Sequence, residues 1–251
     1  MIRKFWIIAT LFICELAIAQ EAAIQFEQAN QLYRSGEYQK AVQMFEQVIK
    51  NGYESSALYY NLGNVYFKLD NLPASILNFE RAKRLSPNDD DINYNLRLAN
   101  LRVIDKIEPI PRLFIINWWK SFVNMFSSSE WSWVAIIFLW VAAICGAFIF
   151  VLRSVTFQRL VFVGTVIALF IVVLSSINMF QRYQSEQKEQ WAVVFSQTVS
   201  VKSAPDAQST DLFVLHEGVK VEFLDAVGEW RKIRLADGKV GWLMVEAVQV
   251  I

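Results

Sequence analysis

Between Ile24 and Pro87 apolar residues recur three and four positions apart, and the stretch repeats itself with a period of 34 residues. The spacing predicts a series of short helices, in which the turn Ser35-Gly36 separates the first pair. A third copy starts near Asp90, fades after Asn100, and cannot continue as helix through Pro109 and Pro111. Two uncharged runs follow, Trp131 to Leu152 and Leu160 to Phe180. At ~1.5 Å per residue the first reaches ~33 Å, the thickness of a bilayer's hydrocarbon core. After Arg182 the pattern turns to alternation: Val219, Val221 and Phe223 on one side, Lys220 and Glu222 on the other, with Asp237-Gly238 as a hairpin turn. Turns near Ser203-Ala204-Pro205, Gly218, Gly228 and Asp237-Gly238 divide this last part into five or six strands, which a small barrel closes most economically.

The N-terminal residues read as a secretory signal peptide over residues 1–19: Arg3 and Lys4, an apolar stretch from Phe5 to Cys14, then Ala17-Ile18-Ala19. The alternative is an uncleaved anchor, since Glu15 sits awkwardly in the cleavage region. Residues 131–152 and 160–180 are the expected transmembrane helices, joined by a short link flanked by Arg153 and Arg159. Basic residues in a short loop place it in the cytoplasm, so both flanking domains are expected on the periplasmic side of the inner membrane. Residues 113–126, with Trp118, Trp119 and Lys120, suit a helix lying in the interface, its tryptophans acting as belt anchors.

Within the second 34-residue unit, Tyr59, Leu62, Gly63, Tyr66, Phe79, Ala82 and Pro87 stand where the tetratricopeptide signature wants large, small and helix-ending residues, with Ser75 replacing the usual alanine. Ala29, Ala41 and Phe45 occupy the matching places one period earlier. The segment therefore resembles the tetratricopeptide repeat family. It is expected to span residues 20–110, with repeats over 22–55 and 56–89 and a capping helix from 90. Two and a half repeats fall short of the roughly three that such stacks need. The C-terminal part, 187–251, resembles the bacterial SH3 domain family through Val199-Ser200-Val201, His216-Glu217-Gly218, Gly228-Glu229-Trp230 and Gly241-Trp242-Leu243. The expected fold class is thus a multidomain membrane protein: an all-α tetratricopeptide repeat domain, a transmembrane helical hairpin and a small all-β SH3-like barrel.

Composition narrows the chemistry. The chain is 55% hydrophobic, which membrane spans account for, and its 24 Lys plus Arg equal its 24 Asp plus Glu, leaving no overall field to attract nucleic acid. Cys14 and Cys145 both lie in apolar runs, and His216 is the one histidine, so clustered metal sites and nucleophilic triads lack their parts. No cofactor, metal or catalytic residue is expected, and the chain reads as not an enzyme. The acidic run Asp89-Asp90-Asp91 precedes a helix and reads as a cap that offsets the helix dipole.

In a tetratricopeptide stack the first helix of each repeat lines the concave face. Here those places hold Phe26, Asn30 and Tyr33, then Tyr60, Asn61, Asn64, Phe67 and Lys68, then Tyr94 and Asn95. A side-chain amide both donates and accepts, so asparagines on a groove can pair with the backbone of an extended peptide. Families of this kind that bind peptides use asparagines at such positions; the resemblance carries over to Asn30, Asn61, Asn64 and Asn95. Equally, these amides could cap loops or bridge helices. In the barrel, His216, Trp230 and Trp242 could line a groove for a peptide or cell-wall glycan stem, or the tryptophans could fill the core.

The order of signal peptide, repeats, two spans and SH3-like domain resembles the BatE-type family of the Bacteroides aerotolerance operon. That resemblance implies a periplasm-facing inner-membrane protein working with von Willebrand factor A membrane proteins and a MoxR-type ATPase in tolerance of oxygen or envelope stress. The sequence as a whole reads as a non-catalytic scaffold that holds partner proteins in its repeat groove. The alternative is an adaptor gripping peptidoglycan through its SH3-like domain.

Overall fold

A computed structural model describes residues 20–111, 114–188 and 190–251; the signal-peptide reading lies outside them. The repeats form five helices: α1 over residues 20–34, α2 Tyr38–Lys50, α3 Ser56–Lys68, α4 Leu72–Leu85 and α5 Asp90–Asn100. Their starts follow from local chemistry. Ser55 accepts from the Leu58 N–H, Asn71 from that of Ala74, and Asp89 from those of Asp91 and Ile92, so each satisfies donors that a helix N-terminus leaves open. The acidic run is therefore a cap. Gly36 at φ +81° makes the turn between α1 and α2.

Close packing explains the small residues. A Cβ on Gly63 would lie 2.7 Å from Phe79 Cδ1, so only glycine lets α3 approach α4 with that ring between them. Ser75 is fully buried, yet its hydroxyl donates to the Gly63 carbonyl at 2.9 Å, which is why a polar residue is tolerated in an alanine position. Ala29, Ala41, Phe45, Leu58, Leu62 and Val65 form the core of the first hairpin and its neighbour.

The C-terminal part is an all-antiparallel sheet of seven strands, β1 Trp191–Val194, β2 Thr198–Lys202, β3 Asp211–His216, β4 Lys220–Val227, β5 Trp230–Arg234, β6 Val240–Met244 and β7 Val248–Val250, in the order β3-β2-β6-β5-β4-β1-β7. That exceeds the five or six strands that turn spacing predicts. The short β1 and β7 pair with each other, Val193 against Gln249, a non-local partnership that no turn announces. Gly218, Gly228 and Gly238 all take positive φ, as turns here demand.

Repeats and sheet share one core. Ile76, Leu77, Leu96, Ala99 and Val103 from the helical part join Val193, Val194, Val219, Val221 and Ile233 from the sheet in a single buried cluster. Residues 20–109 and 191–251 accordingly form one compact unit. Polar contacts rim it: Lys220 Nζ donates to Glu80 Oε2 at 2.6 Å, Arg81 to the Val250 carbonyl at 2.8 Å and Arg84 to the Ile251 carbonyl at 2.7 Å. Because the third repeat has a first helix and no second, α4 would otherwise expose an apolar flank. The sheet covers it and completes the stack that two and a half repeats leave unfinished.

Residues 110–190 form the second unit. It comprises α6 Phe114–Val123, α7 Ser128–Val151 and α8 Val155–Lys188. A capping box starts α7: Ser127 Oγ accepts from the Glu130 N–H while Glu130 Oε2 accepts from that of Ser127. At the other end Gln158 Nε2 donates to the Leu152 carbonyl at 2.8 Å and closes the hairpin. Within Ser128–Val151 and Val155–Gln184 an 18-residue apolar segment reaches a mean hydropathy of 2.8, yet only 6% and 11% of those segments is buried. Core helices of a soluble protein would be mostly buried, so these helices point to membrane insertion. Trp119 Nε1 donates to Gln181 and Arg182 to Asn124, tying α6 to the end of α8 remote from the hairpin loop.

Candidate protein-binding surface

The first helices α1, α3 and α5 carry the groove positions, and hydrogen bonds join them side to side. Asn61 Nδ2 donates to Asn30 Oδ1 at 2.8 Å, and Asn95 Nδ2 donates to the Tyr60 hydroxyl at 2.7 Å. Strict 34-residue repetition would send Asn95 to Asn64. The Tyr60 hydroxyl takes that bond, leaving Asn64 half-buried with no hydrogen bond to another described residue. Three predicted amides therefore spend one donor each, or one acceptor, on bridging helices, while Asn64 has no such bond among the described residues.

Aromatic residues surround this row. Tyr33 lies with its ring 5.6 Å from that of Tyr38; burial, then the neighbouring phenols of Tyr38 and Tyr60, push its pKa up and keep it a neutral hydroxyl. The Tyr60 ring packs 6.0 Å from Phe79, and Phe26 meets Phe45 edge-on at 5.8 Å. Phe67 is half-buried beneath the Arg102 guanidinium, 5.1 Å from its ring centre, and Arg102 is paired with Asp70. Lys68 and Tyr94 are exposed. These positions together present aromatic surface, one amide without a hydrogen-bond partner among the described residues, and the Lys68 ammonium.

In the sheet, the three predicted residues do not converge. His216 faces the repeats: its backbone N–H donates to Asp105 Oδ2 at 2.7 Å and its ring Nδ1 lies 3.0 Å from Oδ1. It pairs with Thr198 at one end of β2, whereas Trp242 pairs with Lys202 at the other, four residues and so about 13 Å along the strand. Trp230 and Trp242 do share a face. Trp230 opposes Met244 and Lys232 opposes Trp242, so the tryptophans are diagonal neighbours on the outer side, with the Lys232 ammonium 5.9 Å from the Trp242 ring. Trp230 also floors a cleft of about 420 Å³ with Val199, Ser200, Lys202 and Glu246.

The residues of greatest structural consequence that pattern reading passes over are Glu80, Arg81, Arg84 and Asp105, and with them the close approach at Gly218, whose turn alone was readable. Gly218 needs no side chain for two reasons: its φ of +86°, and the 3.1 Å that would separate a Cβ from Ile76 Cδ1 and Val103 Cγ2. The every-second spacing of Val103, Asp105 and Ile107 beyond α5 was the available signal: Val103 is buried in the shared core, Ile107 packs against it and Asp105 meets His216.

Comparison with known proteins agrees with these two parts. Residues 26–90 match the tetratricopeptide repeat family and residues 197–248 the bacterial SH3 domain family. Among curated proteins, tetratricopeptide repeat protein 16 of Macaca fascicularis and of Homo sapiens are each 32% identical over 66 residues, 26% of this chain. The chain spans 8% of the length of those relatives.

Proposed function

We propose that the protein is a non-catalytic scaffold of the inner membrane, with the repeats and the SH3-like domain in the periplasm holding a partner protein along α1, α3 and α5. The observation that carries this reading is the core shared by residues 20–109 and 191–251 across an intervening apolar hairpin. One packed core requires both parts on the same side of the bilayer, hence an even number of crossings. Arg153 and Arg159 at the hairpin loop favour the loop as the cytoplasmic side. Asn64, Tyr33 and Lys68 are the groove groups open to a partner, and von Willebrand factor A proteins of an aerotolerance complex fit the resemblance. Reporter fusions at residues 109 and 251 test the orientation. A photo-crosslinking residue at position 64, followed by mass spectrometry of native membranes, tests the groove. Activity of either fusion in the cytoplasm, or adducts independent of Tyr33 and Asn61, would count against the proposal.

The Trp230–Trp242 face and its cleft support a second reading, a peptidoglycan adaptor. Retention of the detergent-solubilised full chain on purified sacculi, lost in a Trp230→Ala Trp242→Ala variant, would favour it.

A further inference from the structure

The two ends of the repeat stack differ in chemistry. The outer face of α1 carries Ile24 with Glu27, Gln28 and Gln31, all exposed: a polar cap of the kind that terminal repeats need. The outer face of α5 carries Tyr94, Leu98 and Leu101, which are 60%, 38% and 73% exposed, and Ile104 continues it at 67%. One period earlier, Tyr60 and Phe67 hold the places of Tyr94 and Leu101, and there Asn95 of α5 and Arg102 just beyond its end cover them. Nothing among the described residues does this for α5. Arg97 stands exposed in the middle of the same face and forms no ion pair among the described residues.

We propose that this face of α5 is a lipid-contacting surface, seated at the headgroup level of the bilayer that holds the two spans. The inference rests on the membrane reading above. Three observations favour lipid over another protein surface. Tyrosine and arginine among aliphatic residues are the mixture that settles at the boundary of headgroups and acyl chains, with the guanidinium against phosphate. Exposed apolar residues continue along the chain through Ile110, Phe114 and Ile115 towards the first span. Tethering by that span keeps the local lipid concentration high, so even a weak contact is populated. A second copy fits poorly: its α1 offers Glu27, Gln28 and Gln31 to Tyr94 and Leu98, and its α5 in a two-fold pair brings the Arg97 guanidiniums together.

The test uses the full chain with Cys14 and Cys145 replaced by serine, in nanodiscs of phosphatidylethanolamine and phosphatidylglycerol. A fluorophore is attached through Leu101→Cys, Gln28→Cys or Trp140→Cys, and quenching is compared between brominated lipid and aqueous iodide. Position 140, exposed on α7, reports insertion; position 28 reports open water. The label at 101 is expected to be quenched severalfold more by brominated lipid than the label at 28, and Arg97→Glu should reverse the difference in anionic discs. Lipid quenching at 140 without any at 101 overturns the inference alone, whether 101 is open to iodide or hidden from both quenchers by protein. Loss at 140 as well overturns the membrane reading with it.

Discussion

Replacing Asp105 with alanine asks whether the repeats and the SH3-like domain stand or fall together. The carboxylate accepts from the His216 N–H at 2.7 Å and meets its ring Nδ1 at 3.0 Å, with the two side chains 19% and 31% exposed. A hydrogen bond to a charged acceptor contributes about 1.5–3 kcal/mol, and the variant leaves a partly buried N–H unpaired. For a unit of this size each kcal/mol moves the melting temperature by about 2–4 °C, so a fall of roughly 3–12 °C is expected. Calorimetry of the full chain in detergent gives the shift. Hydrogen exchange with peptide-level mass spectrometry then shows where protection is lost. If one core serves both parts, exchange should quicken in α4 and α5 as well as in β3 and β4. Quickening confined to β3 and β4, or an unchanged melt, would refute the single core as the energetic unit.

Gly63→Ala sets helix propensity, which favours alanine by about 1 kcal/mol, against overpacking of Phe79, which costs about 1–3 kcal/mol; a net loss in urea midpoint is expected, and a gain would mean that the Phe79 ring can give way. Asn61→Ala should lower stability by about 0.5–1.5 kcal/mol through its bond to Asn30, whereas Asn64→Ala should stay within about 0.5 kcal/mol yet weaken partner crosslinking. Equal effects of the two on stability would contradict the assignment. Burial, then the bond to Glu54, pushes the Tyr59 phenol up to about 12, and burial with Glu46 raises Tyr66 too. The folded state then holds those protons more tightly, so stability is full below about pH 10 and falls as pH rises towards 12. Urea midpoints across that window should decline, and a Tyr59→Phe Tyr66→Phe variant should flatten the decline.

Helices and spans were legible because their signals are local and repeated: the 34-residue recurrence around Gly63 and Phe79, and two runs without a charge. Glycine turns at 218, 228 and 238 likewise announced most of the strands. What escaped was non-local. Ile76 and Leu77 look like ordinary repeat core, and nothing in their neighbourhood says that Val193 and Val219 pack against that helix from far along the chain. Gly218 shows the division well, since its turn is readable and its close approach to Ile76 is not. In the groove, residue types were readable but bond partners were not. Whether Asn95 reaches Asn64 or Tyr60 depends on rotamers and on the stagger of α3 against α5.

A core divided by a membrane hairpin also dictates an order of events at birth. Ile76, Leu77 and Val103 leave the ribosome long before Val193, Val219 and Ile233, with which they are buried. At ~5–20 residues per second the interval is on the order of ten seconds. During it both spans must be threaded and the chain returned to its starting side. The newborn repeats wait with a bare apolar flank, so a stalled second span would leave a half-built stack exposed to aggregation and proteolysis, making completion of folding a check on correct insertion.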